Sequence, residues 1–393
     1  MNKTLSVLLL VVAAFLIGSH AQSGPLMLGT VSAPTAGSCT GSSWISGKGV
    51  TCNQTSVDCT SATGAVSLGI TYAYETPLSP KGTIVFFSGG DGTNPNGDEP
   101  TDSTHSIQQY AEDYYLAGYQ VVQTAWKSEW EDPTSTNSGG NIGYAACRPA
   151  TFLSWINTTY YAPIHQGNPT AGMCLQGESA GSGAGAYSLA WYGAGSGTGT
   201  GYNYLDKLSI LSGPPFSNIA TGCTVTGGES PVVQVCPAGQ LGCNPNNNPS
   251  SWNVVLSFGG GPAADIDDWS GINACSQGPN TPSQDTAAWK AMSIADGNIG
   301  TFSYPQTYIT SWLCSNVESP NVMNESSPEG QTLVQNFTSS SQLKGLIVNG
   351  VSNCANSEFV GGGTPPSNYG VQYGWQAIEA DMKDSTTGCV SHH

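Results

Sequence analysis

The pentapeptide Gly177-Glu178-Ser179-Ala180-Gly181 constrains the fold of this chain more than any other stretch. The apolar run Met173-Cys174-Leu175-Gln176 leads into it, and small residues from Ala180 to Tyr192 lead out. The first run reads as a strand and the second as a helix. A reversal from strand to helix around one residue is sharp, and bulky side chains at 177 and 181 would block it. Both positions are glycine. Such a turn lifts the Ser179 hydroxyl to the carboxyl edge of a sheet, beside a helix N-terminus, and leaves the Ala180 N–H able to stabilise an oxyanion.

A strand–helix rhythm surrounds this turn. Ser67 to Tyr74 reads as an edge strand. Gly82 to Phe87 is a continuous apolar run that ends in Ser88-Gly89-Gly90-Asp91-Gly92. From His105 to Leu116, Ile107, Tyr110, Ala111 and Tyr114 or Tyr115 share one helical face, and Gly118 stops the helix. Further strands are expected at 119–125, 208–211, 308–313 and 346–350. Helices are expected at 150–156, near Leu333 and Val334, and at 369–382. Alternation of this kind predicts an α/β fold, a mostly parallel sheet with helices on both faces.

Residues 216–306 interrupt the rhythm with four cysteines, and a structureless loop of that length does not suit a compact domain. A disulfide-tied cap or lid is expected there, with a decoration away from the site as the plainer alternative. Residues 22–66 read as a cysteine-containing N-terminal extension. The core is then 67–215 together with 307–393. The glycine-rich stretch 193–201 reads as a flexible connector and not a dinucleotide loop, since no strand feeds it directly.

Charged residues make up only 9% of the chain, the net charge is −17, and Arg148 is the sole arginine. Nucleic acid and anionic membranes are therefore poor partners. A surface so poor in charge suits acidic surroundings outside a cell. Lys3 followed by the apolar run Leu5–Ile17 and Ser19-His20-Ala21 reads as a signal peptide over 1–21, with no membrane anchor once it is cleaved. The protein is expected to be secreted, or periplasmic in a bacterium. Twelve cysteines, all after that segment, read as disulfides, with Cys174 and Cys314 as alternative buried thiols. Sequons stand at Asn53, Asn157, Asn324 and Asn336. No metal or cofactor is expected: CxxC pairs are absent, and the acidic group Asp265, Asp267 and Asp268 lacks the spacing of a calcium loop.

With the elbow and the rhythm in place, residues 80–382 resemble the α/β-hydrolase superfamily, in its secreted esterase and lipase branch. The resemblance implies that Ser179 is a nucleophile acting on an ester, small or polymer-borne. It implies that Ala180 and one of Gly89, Gly90 or Asp91 donate backbone N–H groups to an oxyanion. It also places an acid after the strand at 308–313, where Glu318 is the better candidate and Asn316 the other. The base should follow the strand at 346–350, but that loop carries Glu358 and no histidine. His393 or His392, reached if the final residues fold back and Cys389 pins them to Cys354, is one alternative. His105 is a weaker one. His165, before the nucleophile strand, reads as structural. Serine without a base is a weak nucleophile. A non-catalytic binding or surface protein on a hydrolase scaffold is therefore the second reading, and a polysaccharide-associated protein, suggested by Trp252, Trp269, Trp289 and Trp312, a third.

Overall fold

The computed structural model describes residues 27–47, 49–89, 92–95, 107–131, 142–194, 204–211, 219, 289–290, 292–294, 304–314, 343–351 and 374–392. In chain order the strands are β1 (Thr30–Val31), β2 (Thr35–Ala36), β3 (Thr51–Cys59), β4 (Ala65–Glu75), β5 (Gly82–Phe87), β6 (Gln120–Trp126), β7 (Gly172–Glu178), β8 (Lys207–Leu211), β9 (Tyr304–Cys314) and β10 (Leu343–Val351). The helices are α1 (Ile107–Leu116), α2 (Ile142–Ala145), α3 (Cys147–Ile156), α4 (Ala162–Gly167), α5 (Ala180–Tyr192) and α6 (Gly374–Met382), with a π-helical turn at Asn157–Tyr161 joining α3 to α4.

All ten strands form one sheet, ordered β1-β3-β4-β6-β5-β7-β8-β9-β10, with β2 paired to β3. The run from β6 to β10 is parallel throughout. β4 joins it antiparallel and β3 joins β4 antiparallel. Every residue of β5, β6, β7 and β8 is buried, as strands covered on both faces require. β3, at the other end, is half exposed. Its place in the sheet, with a disulfide from Cys59 to Cys147 of α3, builds part of the 22–66 segment into the main layer.

Two cores lie on opposite faces of the sheet. One gathers α3 and α5 around Val85, Phe87, Met173, Leu175, Leu208 and Ile210. The other gathers α1 and α6 around Ile84, Phe86, Val121, Cys174 and Leu211. The stripe read from the sequence in α1 is the buried one: Ile107, Tyr110, Ala111 and Tyr114. The helix ends where Gly118 takes φ +97. Among the described residues of the 216–306 insertion, Ile219, Trp289, Met292 and Ile294 are buried in the α5-side core. The Tyr187 hydroxyl of α5 donates to the Met292 carbonyl at 2.9 Å. The short helix expected near Leu333 and Val334 lies outside the described residues.

The chain's end is held at the amino edge of the sheet. Cys389 is bonded to Cys174 of β7, which corrects the expected partner Cys354 and the free-thiol alternative for Cys174. Val390 bridges to Ala171. The backbone N–H of His392 donates to Asp206 Oδ1 at 2.7 Å, while Asp206 Oδ2 accepts from the Met173 N–H at 2.8 Å. Lys207, fully buried, reaches Asp381 Oδ2 at 2.8 Å and the Thr387 carbonyl at 2.9 Å. Burial pulls its ammonium pKa down and Asp381 opposes the shift.

Two predictions follow from this anchoring. Replacing Cys174 and Cys389 together by alanine opens a link spanning 215 residues and should lower unfolding free energy by about 2–5 kcal/mol in a denaturant titration. Asp384 shapes the turn after α6, accepting from the hydroxyl and backbone N–H of Thr386 and the backbone N–H of Thr387, which hold its carboxyl well below the ordinary 3.8. A depressed folded pKa stabilises above the unfolded value and loses that contribution as pH falls through the folded one. The stability gap between wild type and Asp384→Ala should therefore be full at neutral pH and shrink below about pH 4. An unchanged gap at pH 2 would contradict this.

Candidate active site

Ser179 sits at φ 47 and ψ −119, and is the one non-glycine residue with positive φ among the described residues. A residue held there costs about 1–3 kcal/mol and persists because its surroundings over-determine it. Those surroundings are visible. The Ser179 N–H donates to the Leu211 carbonyl of β8 at 2.9 Å. Its carbonyl accepts from the N–H groups of Ser182 and Gly183 at 2.9 and 3.1 Å, and from the Ser182 hydroxyl at 2.6 Å. The serine is thus tied to the next strand on one side and to the first turn of α5 on the other.

Backbone crowding explains the glycines. A Cβ on Gly177 would lie 2.6 Å from the Gly181 carbonyl oxygen. One on Gly181 would run into the Phe87 carbonyl and lie 2.6 Å from that of Ser88. One on Gly89 would lie 3.0 Å from Ser179 Cβ. The last contact places the turn after β5 directly against the serine. Gly89 to Gly92 is closed by a 3.1 Å bond from the Gly92 N–H to the Gly89 carbonyl, and Ser88 anchors the turn by donating to the Asn94 carbonyl.

Topology explains why these two turns meet. From β5 the chain moves outward to β6, then crosses back to β7 on the other side of β5. The carboxyl ends of strands beside such a reversal enclose a crevice, and in open α/β sheets that is where ligands bind. Ala180, as the first residue of α5, carries one of the N–H groups that a helix start leaves without an intrahelical acceptor. The helix dipole adds partial positive charge there. Through 171–190, Ser179 alone is not buried. The arrangement offers an accessible hydroxyl, a helix-start N–H beside it and a glycine turn in contact with it.

Of the other residues singled out in the sequence, Gly90, Asp91, His105, Glu318, Glu358 and His393 lie outside the described residues. The loops expected to hold acid and base begin at the same edge as Ser179, because β9 and β10 run parallel to β7. Glu178, Leu211, Trp312 and Asn349 stand at one level across the sheet, and β9 and β10 continue two residues further. At strand spacing, β9 and β10 lie about 10 and 15 Å from β7. His392 is a correction: it is held near Asp206, with its ring 4.7 Å from that of Tyr308, at the edge opposite Ser179 and the length of β7, about 20 Å, away. His165 is structural as expected, its Nδ1 lying 3.1 Å from the Tyr161 hydroxyl and 3.2 Å from the Ala171 carbonyl.

Sequence reasoning passed over the wall of the site. Trp130, buried, donates its indole N–H to the Ala180 carbonyl at 3.2 Å. Arg148, also buried, donates to the carbonyls of Trp130 at 2.7 Å and Val66 at 3.0 Å. The one available signal was that Arg148 is the only arginine.

The strain makes opposite predictions for neighbouring substitutions. Ser179→Gly relieves the positive φ and should raise unfolding free energy by about 1 kcal/mol. Gly181→Ala drives a methyl into backbone that cannot yield and should lower it by about 3 kcal/mol or prevent folding. Thermal denaturation of the two variants beside wild type checks both signs.

No family model matches the chain, and no curated protein matches it. Among solved structures it is similar to acetyl xylan esterase 1 from Thermoanaerobacterium sp. JW/SL YS485, at 8% identity and a TM-score of 0.46 over 90% of this chain and 87% of that one. It is also similar to a lipase/esterase from Lactobacillus plantarum, at 12% identity and 0.40 over 76% and 91%. A third likeness is to esterase B from Lactobacillus rhamnosis, at 10% and 0.40 over 78% and 75%. The strand order, the two covered faces and the strained serine between β7 and α5 are what define the architecture: the chain has an α/β-hydrolase-like fold.

Proposed function

We propose that the protein is an exported serine hydrolase that cleaves an ester through Ser179. The single observation that carries this reading is the positive φ of Ser179, kept at a cost in stability and leaving that residue accessible amid buried neighbours. In the proposed reaction the Ser179 Oγ attacks the ester carbonyl and gives its proton to the base. The carbonyl oxygen becomes an oxyanion, which accepts from the N–H groups of Ala180 and of one residue among 89–91. Collapse expels the alcohol with a proton and leaves an acyl-serine, which water then hydrolyses. A preorganised donor of this kind is worth about 10²–10³ in rate. Glu318 is the proposed acid. The base is drawn from Glu358 and His105; His393 is a single residue, about 3.8 Å of chain, beyond His392, which is held about 20 Å from Ser179. The 216–306 segment is the proposed selector of substrate.

Export is supported by the leader-like sequence over 1–21 and by the disulfides Cys39–Cys52, Cys59–Cys147 and Cys174–Cys389, which persist in oxidising compartments. Among the described residues no helix is long and apolar enough to cross a membrane.

A second reading has its own observation. The two described histidines, His165 and His392, both sit at the edge of the sheet away from Ser179. A binding protein that kept the scaffold and lost its base fits that placement. One experiment separates the two. Under the first, a fluorophosphonate probe labels wild type but not Ser179→Ala, and p-nitrophenyl acetate turnover falls at least 10³-fold in the variant. Equal labelling, or background turnover from pH 3 to 8, supports the second. Within the first reading, Glu358→Gln and His105→Ala identify the base by which one abolishes turnover.

A further inference from the structure

We infer that Trp130 is a positioning residue for the oxyanion-binding groups, a strut between the elbow and the glycine turn; this rests on the ester-hydrolase reading above. Two contacts come from one side chain. Its indole N–H donates to the Ala180 carbonyl at 3.2 Å, in the first turn of α5. Its ring lies under the glycine turn, where a Cβ on Gly92 would be 3.5 Å from Trp130 Cδ1 and 3.0 Å from Trp126 Cδ1. Gly92 takes φ +68, and its N–H and carbonyl bond to the Gly89 carbonyl and the Trp126 N–H at 3.1 and 2.8 Å. The first turn of α5 and Gly92 of the glycine turn therefore both stand beside the Trp130 indole, with Trp126 the nearer ring at Gly92.

The strut is itself held. Arg148 donates to the Trp130 carbonyl and to the Val66 carbonyl at the start of β4, so the segment after β6 is fixed to the sheet. Burial of this guanidinium leaves little freedom in where Trp130 sits. The Ala180 carbonyl already faces the helix partner four residues on, so the indole adds a second, lateral donor. That donor is not needed to form the helix. It sets the tilt of the first turn relative to the glycine turn, and with it the spacing of the two N–H groups. Oxyanion stabilisation demands placement within about 0.5 Å, so a loosened strut should cost rate and not substrate binding.

The test uses full-length protein, with two variants that lack the N–H: Trp130→Phe, which also shrinks the ring, and replacement of Trp130 by 3-benzothienylalanine, which keeps the bicyclic shape. Expected for both is a loss of about 10-fold in kcat for p-nitrophenyl acetate with KM within twofold of wild type, a modest part of what a whole donor supplies. Affinity for a phenylboronic acid, which forms a tetrahedral adduct on serine, should fall by a similar factor. The thioaryl variant guards against a folding defect in the Phe variant. Wild-type kcat and boronate affinity in the thioaryl variant overturn the inference. A wild type that neither turns over the ester nor takes the fluorophosphonate instead overturns the hydrolase reading and this role with it.

Discussion

The carboxyl edge of the sheet depends on one backbone crossing, where the first turn of α5 lies against the carbonyls of Phe87 and Ser88. Gly181 has no room for a methyl there, and Gly177 has none against Gly181. This contact brings the end of β5 to the end of β7 and sets Gly89 beside Ser179. The bonds from Ser179 to Leu211, Ser182 and Gly183 then fix a conformation that the serine would not choose. Close approach is the primary fact, and the strain at Ser179 is its consequence. The site and the packing of β5, β7 and α5 are one structure.

The same crossing connects the local turn to the global topology. Because the chain steps from β5 to β6 and returns past β5 to β7, its connections divide between the faces, α1 on one and α3 on the other. Each face gains its own core, and the four central strands are buried along their whole length. A crevice opens where the connections part. Among the described residues, Ser179, the Ala180 N–H and Gly89 stand there.

The opposite edge is built for retention. A disulfide, the buried Lys207–Asp381 pair, and the bonds of Asp206 to Met173 and His392 converge on the residues after α6. They fix the tail across the starts of β7 and β8, and that is why His392, one of the alternative bases, is about 20 Å from Ser179. A return of the tail along α6 was dimensionally open from the sequence. The bond from Cys389 to Cys174, and not to Cys354, closes it as far as His392, because Cys174 lies near the start of β7.

Periodicity and local chemistry made much of this protein legible in one dimension. The buried stripe of α1, the buried central strands, the extent of α5 and the turn at Ser179 all follow from short-range pattern, since each is decided by residues within a few positions of one another. The element ends moved by a few residues: α3 begins at Cys147 and not Ala150, and β9 at Tyr304 and not Tyr308, where pairing with neighbours outweighed local preference. The partner of Cys389, the edge that holds His392, the entry of β3 into the sheet and the brace formed by Trp130 and Arg148 involve groups far apart along the chain. Nothing in local spacing encodes them. The sequence alone determined that a strand would turn sharply into a helix at Ser179, because only glycine fits on either side of that turn. Tertiary structure decided what stands around the serine, because close packing of distant backbone settles which groups can approach it.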